Sequence, residues 1–391
     1  MIRVGYCTNV HAGADLRTMR EQLERHSLLV RDQVTDDGPM GIGLWISARA
    51  ADELREPHSL DDLADWLGRE RLLPFTLNGF PYGDFHQAVV KHRVYEPTWA
   101  EPQRADYTLR LAECLDRILP PGEPGSISTL PLAWRDATAD PEFGRACGRQ
   151  LTRVAEGLDR LAQSTGREIV LGLEPEPGCV FDTAAGYGDF VAQHLSPTDT
   201  ATRERLRRHV GVCHDICHSA VMRESQHEAF RTYRELGLRI AKIQVSSAIR
   251  LRVHPEHPDS LAAIEQLRTF AEDRYLHQTT VATASGVRFY DDIPEALAER
   301  GAPTESEEWR IHFHVPIHHD RLGWISSTND EIRECLTALA DLALSVDHFE
   351  VETYAWNVLP QAHRWERLAD GIAAEMRWFL NELTRRPASG T

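Results

Sequence analysis

Short apolar runs alternate with longer amphipathic segments along nearly the whole chain. This alternation is typical of βα units, in which successive parallel strands are joined by helices. Eight of the runs have the length and composition of barrel strands: 4–8, 43–47, 74–78, 126–131, 169–174, 211–215, 240–245 and 349–353. We therefore predict an α/β fold, the (β/α)₈ TIM barrel, in which eight strands form a closed ring inside a layer of helices.

A ninth strand-like run, residues 311–316, exceeds the eight that a barrel needs. Two interpretations stay open: it is an added strand before the last βα unit, or one of the other strand predictions is wrong. The chain has 391 residues, more than the roughly 250 of a typical TIM barrel. We predict a single TIM-barrel domain over residues 1–391 with insertions and long loops at the C-terminal face. One of these loops is predicted as an irregular stretch over residues 247–258.

The charge balance limits the partners that the chain can have. It carries 43 basic and 60 acidic residues, a formal net charge of −17, whereas a protein that binds a nucleic-acid backbone usually has a basic surplus. No run approaches the ~18–20 apolar residues of a membrane span, and the N-terminus lacks the apolar core of a signal peptide. We expect a cytoplasmic protein that binds a small-molecule substrate, without nucleic acid; its oligomeric state stays open.

Four oxygen-bearing side chains stand at the C-terminal ends of predicted strands: Glu174, Asp215, Gln244 and Glu352. The active site of a TIM barrel lies at that end of its strands. Each of the four shares a strand face with a small or polar residue two positions earlier, because side chains alternate along a strand. We therefore expect them to point into the barrel. Three carboxylates and one amide suit one divalent metal, Mn²⁺ or Mg²⁺, with Co²⁺, Fe²⁺ or Zn²⁺ also compatible.

Further polar residues are predicted to lie near the same barrel mouth. His218 follows Asp215 by three residues, and His312 and His314 share a face of the ninth run. We predict that His314 is an additional metal ligand, and we leave a second metal open. The predicted catalytic residues are Glu174, Glu352 and His218. The predicted substrate contacts are His11, Asn78, Tyr82, His86, Lys242 and His312.

These motifs resemble the xylose-isomerase-like superfamily, which includes sugar isomerases, epimerases and apurinic-site endonucleases. The similar features are Glu174 in Leu-Glu-Pro, the Asp215-x-x-His218 motif, the strand of Gln244 and the terminal-strand Glu352. The resemblance implies a TIM barrel with these side chains around one divalent metal and with His218 in contact with the substrate. Gln244 stands where some relatives have histidine, which lowers the basicity of the ligand.

A closer resemblance covers nearly the whole chain. The segments 6–11, 75–83, 125–131, 312–316 and 350–356 are similar to the group named metabolite traffic protein EboE. Members of that group accompany a prenyltransferase and a sugar-phosphate-cyclase-like enzyme in biosynthetic clusters. The resemblance therefore implies a place in secondary metabolism and implies no particular reaction.

The predicted residues favour a divalent-metal-dependent isomerase or epimerase that acts on a small sugar-like or cyclitol-like metabolite. In this hypothesis Glu174 and Glu352 stand on opposite faces of the substrate, where one removes a carbon-bound proton and the other returns it. Two alternatives stay open. One is a metal-dependent hydrolase or lyase with a multinuclear site, and the other is a non-catalytic metabolite-binding or traffic protein. The number of bound metals separates the first alternative from the isomerase.

Overall fold

The structure, a computed structural model, describes residues 1–197, 199–300 and 304–385. In this part of the chain eight parallel strands close a barrel: β1 (Arg3–Cys7), β2 (Met40–Trp45), β3 (Leu72–Asn78), β4 (Gly125–Thr129), β5 (Ile169–Leu173), β6 (Val210–Asp215), β7 (Ile240–Val245) and β14 (His348–Val351). The strands follow one another around the barrel in chain order, with β14 between β7 and β1. The predicted (β/α)₈ TIM barrel is confirmed, and each of the eight predicted runs overlaps a barrel strand.

Helices occupy the connections between the strands. They are α1 (Leu16–Gln22), α2 (Leu28–Val34), α3 (Ala48–Glu53), α4 (Ser59–Arg69), α5 (Pro102–Ile118), α6 (Phe143–Thr165), α7 (Ala184–His194), α8 (Thr200–His209), α9 (Ile216–Val221), α10 (Gln226–Glu235), α11 (Asp259–Arg268), α12 (Ile293–Arg300), α13 (Asp330–Asp341) and α14 (Leu368–Thr384). The longest, α6, buries Leu151, Val154 and Leu158 at helical spacing, which is the pattern of a helix that packs one face on a core. Among the described residues, no helix combines the length and the apolar character that crossing a membrane requires.

Between β7 and β14 the chain forms a second, antiparallel sheet. Its strands are β8 (Ile249–Val253), β9 (Thr279–Thr283), β10 (Gly286–Tyr290), β11 (Glu307–Ile311), β12 (Arg321–Leu322) and β13 (Ile325–Ser327), in the order β10-β9-β11-β8-β13-β12. An added strand before the last βα unit is present, but the predicted bounds 311–316 are wrong: β11 spans Glu307–Ile311, and residues 312–316 follow it without strand structure. The C-terminal face thus carries a sheet as well as loops.

The predicted irregular stretch over residues 247–258 is wrong in its first half, because residues 249–253 form β8. Ile249, Leu251 and Val253 are buried, whereas the two arginines between them are more exposed. This alternation has the two-residue period of a strand with one face on a core. The two arginines break the apolar run, so the sequence was not recognised as a strand.

The barrel interior contains a buried ion pair between neighbouring strands. Lys242 of β7 and Glu350 of β14 are both 0 % exposed, and the Lys242 ammonium contacts Glu350 Oε2. Gly43 makes room for this carboxylate, since a Cβ at that position would lie 1.5 Å from Glu350 Oε1. On the other face of β14, the Phe349 ring packs against Phe379 of α14 with ring centroids 5.6 Å apart. Alternate residues of β14 therefore face the barrel interior and the helical layer.

Candidate metal centre and active site

Three carboxylates converge at the C-terminal mouth of the barrel. Glu174 directly follows β5, Asp215 ends β6 and Glu352 directly follows β14. One carboxylate oxygen from each lies within 4.8 Å of the other two, and the three residues are 3 %, 2 % and 5 % exposed. Three ionised carboxylates so close together and so far from water repel one another strongly unless a cation compensates them. The arrangement therefore suits a divalent ion.

Each residue of the predicted ligand set has an atom that is available to bind a metal ion. Among the described residues, Glu174 Oε2, Asp215 Oδ2 and both amide atoms of Gln244 are buried without a hydrogen-bond partner. Gln244 is the register neighbour of Asp215 in the adjacent strand, so both side chains stand on the same face of the sheet. Buried polar atoms almost always have a partner in native proteins. The donor set therefore fits a divalent metal held by Glu174, Asp215, Gln244 and Glu352.

The orientation of the Glu352 carboxylate is fixed by two asparagine amides. Asn9 Nδ2 donates to Glu352 Oε1 at 2.7 Å, and Asn78 Nδ2 donates to the same oxygen at 2.9 Å. The Asn9 carbonyl oxygen is in turn 2.7 Å from His86 Nε2, which donates to it. Hydrogen bonds of this kind hold a metal ligand in one orientation. They leave the second oxygen of Glu352 for an ion.

Burial and mutual repulsion change the protonation of this cluster in the metal-free protein. Burial raises the pKa of Glu174 well above its usual range, and the nearby Glu352 and Asp215 carboxylates raise it further. The pKa of Glu352 is raised to about 8, chiefly by burial and then by Asp215 and Glu350. Both groups therefore hold protons near neutral pH, and a bound cation would displace those protons.

Three histidines stand beside the carboxylates; the Nε2 atoms of His218 and His312 lie 3.1 Å apart, and that of His314 has no hydrogen-bond partner. His218 Nδ1 donates to the Pro175 carbonyl at 3.0 Å, and His314 Nδ1 donates to the Glu352 carbonyl at 2.7 Å. His312 Nδ1 donates to Gln278 Oε1 at 2.7 Å. Because each Nδ1 carries the hydrogen, each neutral ring has its lone pair at Nε2. Burial lowers the pKa of His312 well below its usual range and that of His314 to about 4, so these two rings are neutral.

A fourth buried carboxylate, Glu176, extends the polar part of the site. Tyr95 Oη donates to Glu176 Oε1 at 2.8 Å, and Gln278 Nε2 donates to the same oxygen at 3.1 Å. One oxygen of Glu176 and one ring nitrogen each of His218 and His312 lie within 4.8 Å of one another. Burial raises the pKa of Glu176. The site therefore has a second group of atoms able to bind a metal next to the first.

A cavity above the carboxylates brings most of the predicted catalytic residues together. Its polar lining includes Asn78, Glu174, His218, His312, His314 and Glu352. The structure therefore places two of the six predicted substrate contacts, Asn78 and His312, on the cavity surface. The predicted ligands Asp215 and Gln244 lie below that surface, both buried.

The other four predicted substrate contacts are not among the described residues that line the cavity: His11, Tyr82, His86 and Lys242. His11 lies instead against Tyr6, with Nε2 3.1 Å from the tyrosine hydroxyl, and its ring stacks on His26. Lys242 is enclosed in the barrel interior with Glu350. The prediction for these residues used the alternation of side chains along strands and the position of loops, neither of which gives a depth below the barrel mouth.

Tyr82 and His86 lie in the loop after β3 but turn away from the cavity. The Tyr82 ring packs edge-on against Tyr107 with centroids 5.0 Å apart. His86 acts at one remove, since its Nε2 contacts the Asn9 carbonyl and Asn9 contacts Glu352. His86 is therefore connected to the carboxylate cluster through Asn9.

Sequence reasoning missed four polar residues of the site: Tyr95, Glu176, Gln278 and Tyr354. Glu176 could have been predicted from the sequence. It follows Glu174 by two residues, and in an extended segment this spacing places both side chains on the same face. Gln278 comes from the added sheet and bonds to both Glu176 and His312. Its position depends on tertiary packing, for which the local sequence carries no pattern.

Comparison with known proteins identifies the fold. No family model matches the sequence, and no curated protein matches it. Among solved structures, a xylose isomerase-like TIM barrel protein from Mycobacterium smegmatis in complex with magnesium is 10 % identical, with a TM-score of 0.51 over 98 % of this chain and 97 % of that chain. An IOLI protein solved with a bound zinc atom is 14 % identical, with a TM-score of 0.50 over 98 % of each chain. The chain shares the TIM-barrel fold of these two proteins.

Proposed function

We propose that this protein is a divalent-metal-dependent isomerase or epimerase that acts on a small sugar-like or cyclitol-like metabolite. One observation carries the proposal: Glu174, Asp215 and Glu352 converge within 4.8 Å at the barrel mouth, next to an unpaired buried amide of Gln244. Three carboxylates at this depth are unfavourable unless they take up protons, as in the metal-free protein, or bind a cation. The arrangement therefore supports a functional centre rather than an inert scaffold.

The residues present fit one ion of Mn²⁺, Mg²⁺, Co²⁺, Fe²⁺ or Zn²⁺, with Glu174, Asp215, Gln244 and Glu352 as ligands. When bound, such an ion supplies Lewis-acid polarisation of a carbonyl oxygen and of the neighbouring hydroxyl oxygen. His314 Nε2 lies 4.0 Å from Asp215 Oδ2. We therefore propose this histidine as an additional metal ligand.

In this proposal, Glu174 and Glu352 transfer the proton that is bound to a substrate carbon. Glu174 follows β5 and Glu352 follows β14, and two strands separate these in the barrel, so the carboxylates approach a substrate from different sides. One takes the proton from the carbon beside the carbonyl, and the other gives a proton back, to the opposite face of that carbon or to its neighbour. His218, whose Nδ1–H is held by Pro175, accepts a hydrogen bond from a substrate hydroxyl through Nε2.

Solvent isotope exchange across a panel of candidate substrates tests this proposal. Ketoses, aldoses and cyclitol ketones are incubated in D₂O with Mn²⁺-loaded protein, and carbon-bound deuterium is measured by mass spectrometry. We expect uptake with wild-type protein and with Glu56→Gln, a control at an exposed glutamate. We expect uptake to be abolished in Glu174→Gln, with the fold retained. Uptake that persists in Glu174→Gln contradicts the assignment of Glu174.

We also propose that the chain belongs to the EboE group and acts in a biosynthetic pathway, which the similar segments 6–11, 75–83, 125–131, 312–316 and 350–356 support. A non-catalytic traffic protein of the same group is the competing hypothesis. It predicts that metabolites bind but that none of them exchanges a carbon-bound proton with the solvent in the D₂O experiment.

A second candidate function, metal-dependent hydrolysis or lyase chemistry with a multinuclear site, is favoured by one specific contact. His218 Nε2 and His312 Nε2 lie 3.1 Å apart, although each carries a lone pair in the tautomer that its Nδ1 partner selects. Two facing lone pairs repel unless a proton or a cation lies between them. Glu176 adds a carboxylate to the same group.

Elemental analysis separates the two candidate functions. The isomerase predicts one ion per chain in wild-type protein, whereas the hydrolase or lyase predicts two or more. If two ions bind, His312→Gln should lose one and Glu352→Gln should lose the other. A single ion that His312→Gln retains in full contradicts the multinuclear site.

A further inference from the structure

We propose that the substrate of this site carries an apolar group beside its metal-binding end, and that it carries no phosphate. The inference rests on the proposed function, because it takes the carboxylate cluster as the place where the polar end of the substrate binds. The observation behind the inference is the apolar wall of the cavity. The proposed reaction assigns no role to this wall.

That wall is formed by apolar and aromatic side chains: Phe80, Phe85, Val94, Tyr95, Tyr275 and Leu276. The rings pack on one another, with Phe85 and Tyr275 centroids 4.9 Å apart and Phe85 and Tyr354 centroids 5.5 Å apart. A wall of packed rings presents a continuous apolar surface. The same cavity is also lined by the carboxylates of Glu174 and Glu352.

The tyrosine hydroxyls of this wall donate their hydrogens to protein groups. Tyr275 Oη donates to the Phe85 carbonyl at 3.2 Å, and Tyr95 Oη donates to Glu176 at 2.8 Å. Both hydrogens are therefore engaged, and the two residues present ring surface to the cavity. A sugar hydroxyl placed against this surface would lose its bonds to water without gaining a partner, whereas an apolar group would gain from leaving water.

The position of the wall is fixed by the added sheet region. The backbone amides of Val90 and Lys91, in the loop after β3, donate to the Arg274 carbonyl at 2.8 and 3.0 Å. Tyr275 and Leu276 directly follow that carbonyl and reach the cavity. The insertion between β7 and β14 therefore supplies two of the six side chains of the wall. A preformed apolar surface of this kind is typical of ligand pockets.

The cavity offers no free cation for a phosphate group. Among the described residues that line it, Lys91 is the one with an ammonium or guanidinium group, and its Nζ is paired with Asp292 Oδ2 at 2.6 Å. The two positive charges of a bound divalent ion face three carboxylates. A phosphate dianion here would be removed from water without a compensating charge, which is strongly unfavourable.

Three small hydroxyketones with the same chelating end test the inference. 2-Hydroxyacetophenone carries a phenyl group, hydroxyacetone a methyl group, and dihydroxyacetone phosphate a phosphate. Their dissociation constants are measured by calorimetry on Mn²⁺-loaded protein. We expect the phenyl compound to bind at least about tenfold more tightly than hydroxyacetone, because its ring is buried against the wall, and the phosphate to bind most weakly. Equal or weaker binding of the phenyl compound, or tight binding of the phosphate, overturns the inference.

A pair of leucine variants tests whether the preference comes from the wall. Leu276 lines the cavity and is 8 % exposed, whereas Leu261 on α11 is 64 % exposed. Leu276→Asn should lose most of the phenyl preference, and Leu261→Asn should keep it. If Leu276→Asn does not fold, the nearly isosteric Val94→Thr replaces it. An unchanged preference in a folded wall variant overturns the inference.

Mn²⁺ binding, titrated first, separates this inference from the proposed function. Mn²⁺ affinity that is absent, or that is unaffected by Glu352→Gln, overturns the proposed function together with the inference. Mn²⁺ binding that depends on Glu352, without a preference for the phenyl compound, overturns the inference alone.

Discussion

Asn78 Nδ2 donates a 2.9 Å hydrogen bond to Glu352 Oε1, the same oxygen that the Asn9 amide contacts at 2.7 Å. One oxygen of Glu352 is therefore held by protein amides while the other faces the carboxylate cluster. Removal of this support loosens a metal ligand without removing it. We expect Asn78→Ala to weaken Mn²⁺ binding by about 10- to 100-fold, measured by calorimetry. Asn381→Ala, at an exposed site on α14, is the control. An unchanged affinity in Asn78→Ala would show that Glu352 does not bind the ion.

Glu174→Gln should have opposite effects on stability with and without metal. Burial and the neighbouring carboxylates raise the pKa of Glu174, so the folded state of the metal-free protein loses stability as the pH rises from the unfolded pKa of about 4.5 toward the folded pKa. Glutamine stays neutral and avoids this loss. We expect metal-free Glu174→Gln to melt at least roughly 2 °C above wild type at pH 8, with a smaller difference at pH 5.

The measurement for Glu174→Gln is a set of thermal melts with chelator and with excess Mn²⁺. With Mn²⁺ the order should reverse, because the wild-type protein binds the ion more tightly and binding to the folded state stabilises it. A variant that is less stable than wild type at pH 8 without metal would contradict the proposed repulsion among the carboxylates.

Metal binding should release protons near neutral pH. The pKa of Glu352, raised to about 8 by burial and by its acidic neighbours, leaves this carboxyl mostly protonated at pH 7 in the metal-free protein, and the pKa of Glu174 is raised as well. We expect one to two protons to leave per ion at about pH 7 and Mn²⁺ affinity to rise with pH. Calorimetry in two buffers with different ionisation enthalpies counts the protons. Binding without proton release would place the ion elsewhere.

The interior ion pair gives a prediction about Lys242. Since Lys242 and Glu350 are both fully buried, Lys242→Met leaves an uncompensated carboxylate and should lower the free energy of unfolding by about 3–5 kcal/mol. The double variant Lys242→Met with Glu350→Met should lose less, because it removes both charges. Chemical denaturation of both variants measures the difference. A double variant less stable than the single one would contradict this account of the barrel interior.

The sequence contains enough information to predict the barrel and the convergence of Glu174, Asp215 and Glu352 at its mouth. Strand runs and their ends follow from apolar periodicity, and parity places Glu174, Asp215, Gln244 and Glu352 on the inner face, because side chains alternate strictly along a strand. The alternation of side chains shows which face of a strand a residue is on, but it does not show how far the residue lies from the barrel mouth. Lys242 is on the same strand face as Gln244 but two residues earlier, where its ammonium contacts Glu350.

The contributions of the added sheet could not be predicted in the same way. Gln278 and Tyr275 reach the cavity through packing between segments far apart in the chain, and no local pattern specifies such contacts. The strand at Ile249–Val253 went unrecognised because arginines alternate with its buried residues. The apolar wall of the cavity was therefore visible only in the structure.

Anomalous diffraction from crystals of Mn²⁺-loaded protein tests the central claim most directly. We expect a manganese peak at the barrel mouth with oxygen ligands from Glu174, Asp215, Gln244 and Glu352 at about 2.0–2.3 Å. Data from Glu352→Gln crystals, collected in the same way, should show a weaker peak or none. A wild-type map without a peak among these four side chains, or with manganese bound only elsewhere, would contradict the metal centre proposed for this protein.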